Sequence, residues 1–312
     1  MQKQLITIAA GFLISYPSAI FSDSINLYSN TIEDKIYNNA DKANSNHKIK
    51  DGDIKYKNED YRGAIIDYSE ILKNNPENKH AFFRRALSKS KIKDYEGAIS
   101  DYSKAIEIDK TYHQAFYNRG YVKDKLKDYY GAISDYNKAI FLKKDYENAY
   151  INRAYAKSDI GDLPGAIKDF TILIEINSKN ALAFYGRGYM QSKYEDHYAA
   201  ISDFTKAIKI DQDDDLSYAA RGYSKGKIND YEGAISDYSK AISINPDLDY
   251  AHYNRGLMNY NSDKFKEALA DWIKASELGY EYAFKKADNC KNSHNFKASI
   301  KNLLEKKIKQ IK

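Results

Sequence analysis

The residues of this chain that could do chemistry are six histidines, one cysteine and two long series of arginine and aspartate. The histidines (His47, His80, His113, His197, His252 and His294) are scattered, with no His-x-x-x-His pair, no cysteines at metal-ligand spacing and no glycine-rich phosphate loop. His80 and His113 fall near the starts of neighbouring predicted helices and are the one pair that could share a metal. Cys290 is alone, which excludes an internal disulfide. Nothing resembles a Ser-His-Asp arrangement with a scaffold to hold it. Catalysis, a bound metal and a cofactor are therefore not expected.

Arginine and aspartate differ because their spacing is regular. Eight arginines stand against 41 lysines, and six of the eight (Arg85, Arg119, Arg153, Arg187, Arg221 and Arg255) recur every 34 residues. Asp67, Asp101, Asp135, Asp169, Asp203, Asp237 and Asp271 keep the same step. The chain is rich in Asn, Lys, Ile and Tyr, like the product of an A+T-rich coding sequence, and such a bias would have supplied lysine. Arginine brings a planar fork that grips a carboxylate with two hydrogen bonds. The chemistry indicated is ion pairing, many times over.

The elements that must position these groups repeat with them. His113 to Tyr146 holds two amphipathic helical patterns separated by a short Lys127-Asp128 turn. Its Gly131-Ala132-Ile133 signature returns from Gly63-Ala64-Ile65 to Glu267-Ala268-Leu269 without an insertion. Seven units follow: 45–78, 79–112, 113–146, 147–180, 181–214, 215–248 and 249–282. Numbered 1 to 34, each has a small residue at position 8, alanine at 20 and an aromatic at 24 (Tyr68, Tyr102, Tyr136, Phe170, Phe204, Tyr238, Trp272). Small residues let two helix backbones approach, and the ring fills the space beside them. Aspartate at position 16 (Asp60, Asp94, Asp128, Asp162, Asp196, Asp230) is placed to cap the second helix. Glycine at position 19 in five units costs up to ~1 kcal/mol relative to alanine, unless another backbone lies close or the helix start is near. Helices of roughly 13 residues are marginal alone, so stacking must stabilise them.

This pattern resembles the tetratricopeptide repeat over about three quarters of the chain. The resemblance implies an all-α fold: a right-handed superhelical α-solenoid of helix-turn-helix repeats, closed by C-terminal capping helices. The chain departs from that family at position 7, arginine instead of leucine, and at position 11, lysine in five units where an apolar ring is usual. A guanidinium at a normally buried position must be paired, since loss of its partner costs ~3 to 5 kcal/mol. Position-23 aspartate is the obvious partner, within a unit or between neighbours. Counting favours neighbours: the first unit has Asp51 at position 7, and pairing Asp67 with Arg85, Asp101 with Arg119, Asp135 with Arg153, Asp169 with Arg187, Asp203 with Arg221 and Asp237 with Arg255 leaves only Asp271. The expectation is an inter-repeat ladder that fixes stacking register; solvated surface charges are the plainer alternative.

The resemblance also implies a ligand face, because in this family the first helices line a concave surface and positions 2, 5, 9, 12 and 13 touch ligands. Here positions 5 and 9 give Phe83, Tyr117, Tyr121, Ile151, Tyr155, Tyr185, Tyr189, Tyr223 and Tyr253, bordered at position 13 by Lys91, Lys125, Lys193 and Lys227. Residues four apart share a helix face. Rings flanked by cations suit an acidic extended peptide or a sugar polymer, although the tyrosines could simply pack. The lysine and asparagine with which chaperone-binding members hold a terminal carboxylate are missing at positions 5 and 9, so that clamp is not expected.

Outside the repeats, residues 1–22 read as a secretory signal, with Lys3, an apolar run from Leu5 to Tyr16 and a breaker at Pro17. An uncleaved anchor is the rival, since Leu5 to Phe21 barely spans a bilayer. Residues 23–44 are a polar linker, and 283–312 read as capping helices with a basic tail. Cys290 takes position 8 of a would-be eighth unit, a packing position. Lys291 to Lys312 carry seven lysines and one acid, so +6 of the net +5 sits there and the remainder is −1. Near-neutral repeats argue against nucleic acid and leave weak membrane or wall contact to the tail. The expectation is an exported scaffold of the periplasm or cell envelope that binds a peptide segment of a protein partner in its groove. Binding of cell-wall glycan or a membrane surface through groove and tail is the alternative.

Overall fold

Amphipathic periodicity at a 34-residue step becomes, in a computed structural model describing residues 43–292, a run of fifteen helices. The expected signal segment, the linker up to residue 42 and the tail with its second capping helix lie outside the described residues. Two units are compact in themselves, one ending at Ile176 and one starting at Asn177. The first holds four helix pairs: α1 (Ala43–Lys57) with α2 (Tyr61–Asn74), α3 (Lys79–Lys91) with α4 (Tyr95–Ile108), α5 (His113–Lys125) with α6 (Tyr129–Leu142), and α7 (Glu147–Asp159) with α8 (Leu163–Ile176). The second holds α9 (Ala181–Lys193) with α10 (His197–Ile210), α11 (Asp215–Lys227) with α12 (Tyr231–Ile244), α13 (Asp249–Asn261) with α14 (Phe265–Glu277), and a final α15 (Glu281–Asn292). Cys290 falls in α15, and its side chain is outside the described residues. Within each unit, consecutive helices pack together and the first helices of adjacent pairs also touch, so they form the inner wall. No described helix is long and apolar enough to cross a membrane.

Each pair is closed by the same turn. Position 15 takes a left-handed backbone whether or not it is glycine: φ is 65° at Lys93, 63° at Lys127 and 85° at Gly161. That conformation turns amides back onto the ending helix, as when Asp94 N–H donates to the Lys89 carbonyl at 2.9 Å and Lys93 N–H to that of Ser90 at 3.0 Å. The next residue caps the second helix. Asp60, Asp94, Asp128, Asp162, Asp196 and Asp230 each accept from the amide three residues on, at 2.9–3.1 Å. This explains the position-19 glycines, since a Cβ there would fall on the capping carboxylate. Ala199, capped by Asp196 at 3.0 Å, shows that the carboxylate can give way.

The charged series pair differently from the expected ladder. Arg85 holds Asp101 of its own repeat through Nε and Nη2, both at 2.7 Å, and Lys89 adds a third contact at 2.8 Å. The same trio joins Arg119 and Lys123 to Asp135, Arg153 and Lys157 to Asp169, and Arg221 and Lys225 to Asp237. Arg187 pairs with Asp203 and Arg255 with Asp271, which also takes Asn259 at 2.9 Å. Asp67, whose unit has Asp51 instead of arginine at position 7, takes Lys55 at 2.9 Å. The correction has a simple cause: positions 7 and 23 are nearly equidistant from the turn and so face each other across the hairpin. Position 11, one helical turn beyond 7, points at the same carboxylate. The carboxylates held by arginine are buried, Asp169 at 1% exposure, so these are not solvated surface charges.

The link between repeats comes from the nitrogen left over. Arg85 Nη1 donates to Ser69 Oγ of the preceding pair at 3.0 Å, Arg119 Nη1 to Ser103 at 2.9 Å and Arg153 Nη1 to Asn137 Oδ1 at 2.6 Å. In the second unit, Arg221 reaches Thr205 and Arg255 reaches Ser239. Each acceptor is at position 25. The guanidinium also lies over an aromatic ring three residues back, 5.5 Å from Phe82 for Arg85 and 5.2 Å from Tyr150 for Arg153.

Asp169→Ala leaves Arg153 and Lys157 half-buried without their carboxylate and should destabilise α7 and α8 by ~3 to 5 kcal/mol. Replacing all three residues by leucine should recover most of that loss. Amide hydrogen exchange in the two helices reads both variants; unchanged protection after the single substitution would show that the cluster contributes nothing.

Candidate functional site

The expected aromatic stripe is largely consumed by packing. Tyr117, Tyr121, Tyr155, Tyr185, Tyr189 and Tyr253 are all at least nine-tenths buried, as is Ile151; Phe83 and Tyr223 are half-buried. Tyr117 lies 4.9 Å from Tyr146 and accepts from Asn152 Nδ2 of the next pair at 3.0 Å. Phe83 meets Tyr112 at 5.0 Å, Tyr155 meets Phe170 at 5.8 Å and Tyr253 stacks on Tyr280 at 4.5 Å. Tyr185 and Tyr189 stack on each other at 6.4 Å. Of the position-13 lysines, Lys91 is exposed and Lys193 half-buried. Lys125 and Lys227 lie over Tyr121 and Tyr223, their ammonium groups 5.2 and 5.3 Å from the ring centres. The rings therefore stabilise the stack, and their faces are not a continuous contact surface.

One stretch of the inner wall does open. In the first unit a cleft of about 350 Å³ is lined by Tyr56, Leu87, Ser90, Lys91, Lys93, Tyr95, Tyr102, Asn118, Tyr121 and Lys125. Lys91, Tyr121 and Lys125 were expected on this face. Leu87, Ser90 and Asn118 lie on the same two first helices, at positions 9, 12 and 6, whereas Tyr56, Lys93 and Tyr95 come from the first pair and the α3–α4 turn. Its charged lining is entirely cationic, with three lysines and no carboxylate. Four phenol rings, those of Tyr56, Tyr95, Tyr102 and Tyr121, give it apolar wall with polar tips. Such a cleft suits an acidic, partly aromatic chain.

Sequence and structure comparisons agree on what these helix pairs are. The pattern described as "TPR repeat" matches residues 91–126 and 223–263, and that described as "Tetratricopeptide repeat" matches 113–146. A tetratricopeptide repeat protein from Parabacteroides merdae superposes with a TM-score of 0.60, 17% identity, and coverage of 80% of this chain and 99% of that one. The C-terminal part of a TPR repeat-containing protein from Cytophaga hutchinsonii gives 0.65 at 19% identity, over 78% and 98% of the two chains. Residues 91–146 and 223–263 are thus matched as tetratricopeptide repeats, and the described helix pairs share the fold of such proteins. YrrB, described as a TPR protein with an unusual peptide-binding site, is a further fold neighbour, with a TM-score of 0.51, 21% identity and coverage of 59% and 95%. No curated protein matches in sequence. Proteins of this family are generally non-catalytic interaction scaffolds.

Beside the cleft, this tetratricopeptide array holds a group that its periodicity does not single out. Asp124, at position 12 of α5, is half-buried, and its Oδ1, itself covered, has no hydrogen-bond partner among the described residues. Burial, and then the charge of Asp159 on α7, push its carboxyl up to about 6. The signal was available: position 12 is serine in units 79–112, 147–180 and 181–214, and position 13 is lysine everywhere from 45 to 248 except at Asp159.

The stability consequence has a definite sign. Asp124 in the unfolded chain ionises near the ordinary value, so between that and about 6 the folded state holds the extra proton, and stability falls as pH rises through this window. Above it the cost stays, on the order of 2 kcal/mol after allowing for partial exposure. Asp124→Asn should therefore raise the denaturation midpoint near pH 7.5, with a gain several-fold smaller near pH 4. A gain independent of pH would show that the carboxyl is not held unionised by its surroundings.

Proposed function

We propose that this tetratricopeptide-repeat protein is an exported interaction scaffold that binds an acidic segment of a protein partner on the inner wall of its first unit. The observation that carries this reading is the cleft between α1, α3 and α5, whose charges are Lys91, Lys93 and Lys125 with no acid among them. Phenol rings beside them offer contact area at low conformational cost, and the lysines orient carboxylates. The family supports an interaction role, and one fold neighbour, YrrB, is described as having a peptide-binding site of its own. Export rests on residues 1–22, and weak contact with membrane or wall on Lys291 to Lys312; both are proposals from sequence.

A fluorescent decapeptide alternating Glu and Tyr should bind, while its Lys-Tyr counterpart should not and a Gln-Tyr version should bind more weakly. Lys91→Glu combined with Lys125→Glu should reduce binding of the acidic peptide by roughly tenfold or more, and added salt should weaken it. Equal anisotropy changes for the three peptides would remove the cleft from the account. For export, the mature protein in an envelope fraction should lack residues 1–22 by mass; a full-length protein confined to the cytoplasm would overturn it.

A further inference from the structure

Two acidic residues depart from the rows they stand in, where position 12 is serine in three units and position 13 lysine in five, and they do so in adjacent repeats on first helices that touch. Asp124 stands on α5 and Asp159 on α7, close enough that the charge of Asp159 raises the Asp124 carboxyl after burial has done so. Behind them is a second group without a partner. Tyr136, 0% exposed, has a hydroxyl that makes no hydrogen bond among the described residues. Its direction follows from the repeat geometry: the ring lies against Gly120 on α5, where a Cβ would come within 3.0 Å of Cε1. In the first pair the equivalent phenol, Tyr68, sends its hydroxyl to Asp53 on the first helix at 2.6 Å. Position 9 there corresponds to one turn before Asp124 on α5. Among charged groups, Asp124 acts most strongly on the Tyr136 phenol.

We propose that Asp124, the Tyr136 hydroxyl and Asp159 form a seat for a protonated primary amine, the side chain of a lysine in the segment that occupies the neighbouring cleft. The proposal rests on the peptide-binding reading for the identity of that amine. An ammonium carries three donors and one positive charge. It satisfies the orphan carboxylate oxygen and the phenol oxygen and relieves the repulsion between the two acids. A calcium ion fits poorly, since it takes six to eight oxygens and no group of three or more metal-ligating residues is found among the described residues. The groups facing Asp124 are Asp159 from α7, Tyr129 and Tyr136 from α6, and Tyr117 and Lys125 from its own helix. Lys91 and Lys93 lie across the cleft, alongside Lys125. The partner segment is thereby mixed in charge, with acids over the lysines and one lysine at the seat, and it binds less well as Asp124 takes up its proton.

Two measurements test this and separate it from the cleft reading. Carbon-13 carboxyl NMR of the full protein follows Asp124 through a pH titration in n-butylammonium chloride, tetramethylammonium chloride, sodium chloride or calcium chloride at equal ionic strength. Butylammonium, alone among the four, should lower the Asp124 midpoint and shift the Tyr136 ring signals, and Asp159→Asn should weaken the effect. A butylammonium response no larger than that of tetramethylammonium or sodium, or a response to calcium instead, overturns the seat. In the second measurement a lysine is moved along the Glu-Tyr decapeptide. One register should bind about tenfold tighter near pH 7.5 in the native protein and lose that gain in Asp124→Asn. If no acidic peptide binds but butylammonium still moves Asp124, the cleft reading fails and the seat stands. If the parent peptide binds and no register gains, the seat fails alone.

Discussion

A carboxylate taken out of water and clamped by an arginine from the facing helix is the constraint on which every pair from α3 onward depends; a lysine of that helix joins the arginine in four pairs and Asn259 does so at Asp271, while Asp203 takes Lys206 from its own helix. Burying three ions is unfavourable unless each lone pair and donor finds a partner. Here the fork of arginine takes both carboxylate oxygens and in four pairs lysine takes one again, so neither oxygen is left without a donor. The geometry that achieves this also fixes how far one helix can slide along the other, because a shift of one residue would separate the fork from its target. The electrostatics of the fold are thus settled inside each hairpin, and stacking between hairpins is left to rings, small residues and one arginine hydrogen bond.

The period, the helix pairs and the aspartate caps were legible in the sequence because each recurs in register and each has a local physical cause. The departures at positions 7 and 11 were visible too, and a single carboxylate now explains both. The partner assignment was not legible. A count along the chain treats a separation of 16 residues within a unit and one of 18 to the next unit as equivalents, and only the turn, with its left-handed residue at position 15, places 7 opposite 23. The leftover aspartate in that count, Asp271, is in fact held by Arg255.

The tyrosines failed as a stripe for a related reason. Spacing of four residues says that Tyr117 and Tyr121 share a face, and it does not say what the face meets. Tyr117 meets Tyr146 at the end of its own repeat and Asn152 of the next, neither of which belongs to the same periodic position set. Attention to what recurs also hid Asp124 and Asp159, whose interest lies in not recurring. In an array whose packing residues are copied from unit to unit, recognition is written in the exceptions.

The oxygen at position 25 has a consequence for the gene. Within a unit, each interior pair offers a hydroxyl or amide oxygen on one edge and a spare guanidinium N–H on the other, and serine, threonine and asparagine all serve. Any interior pair therefore mates with any other. Loss or duplication of 34 codons joins edges that still match, whereas a deletion of any other length pulls a carboxylate away from its clamp. An array built in this way is free to lengthen or shorten over evolutionary time, but only in whole steps.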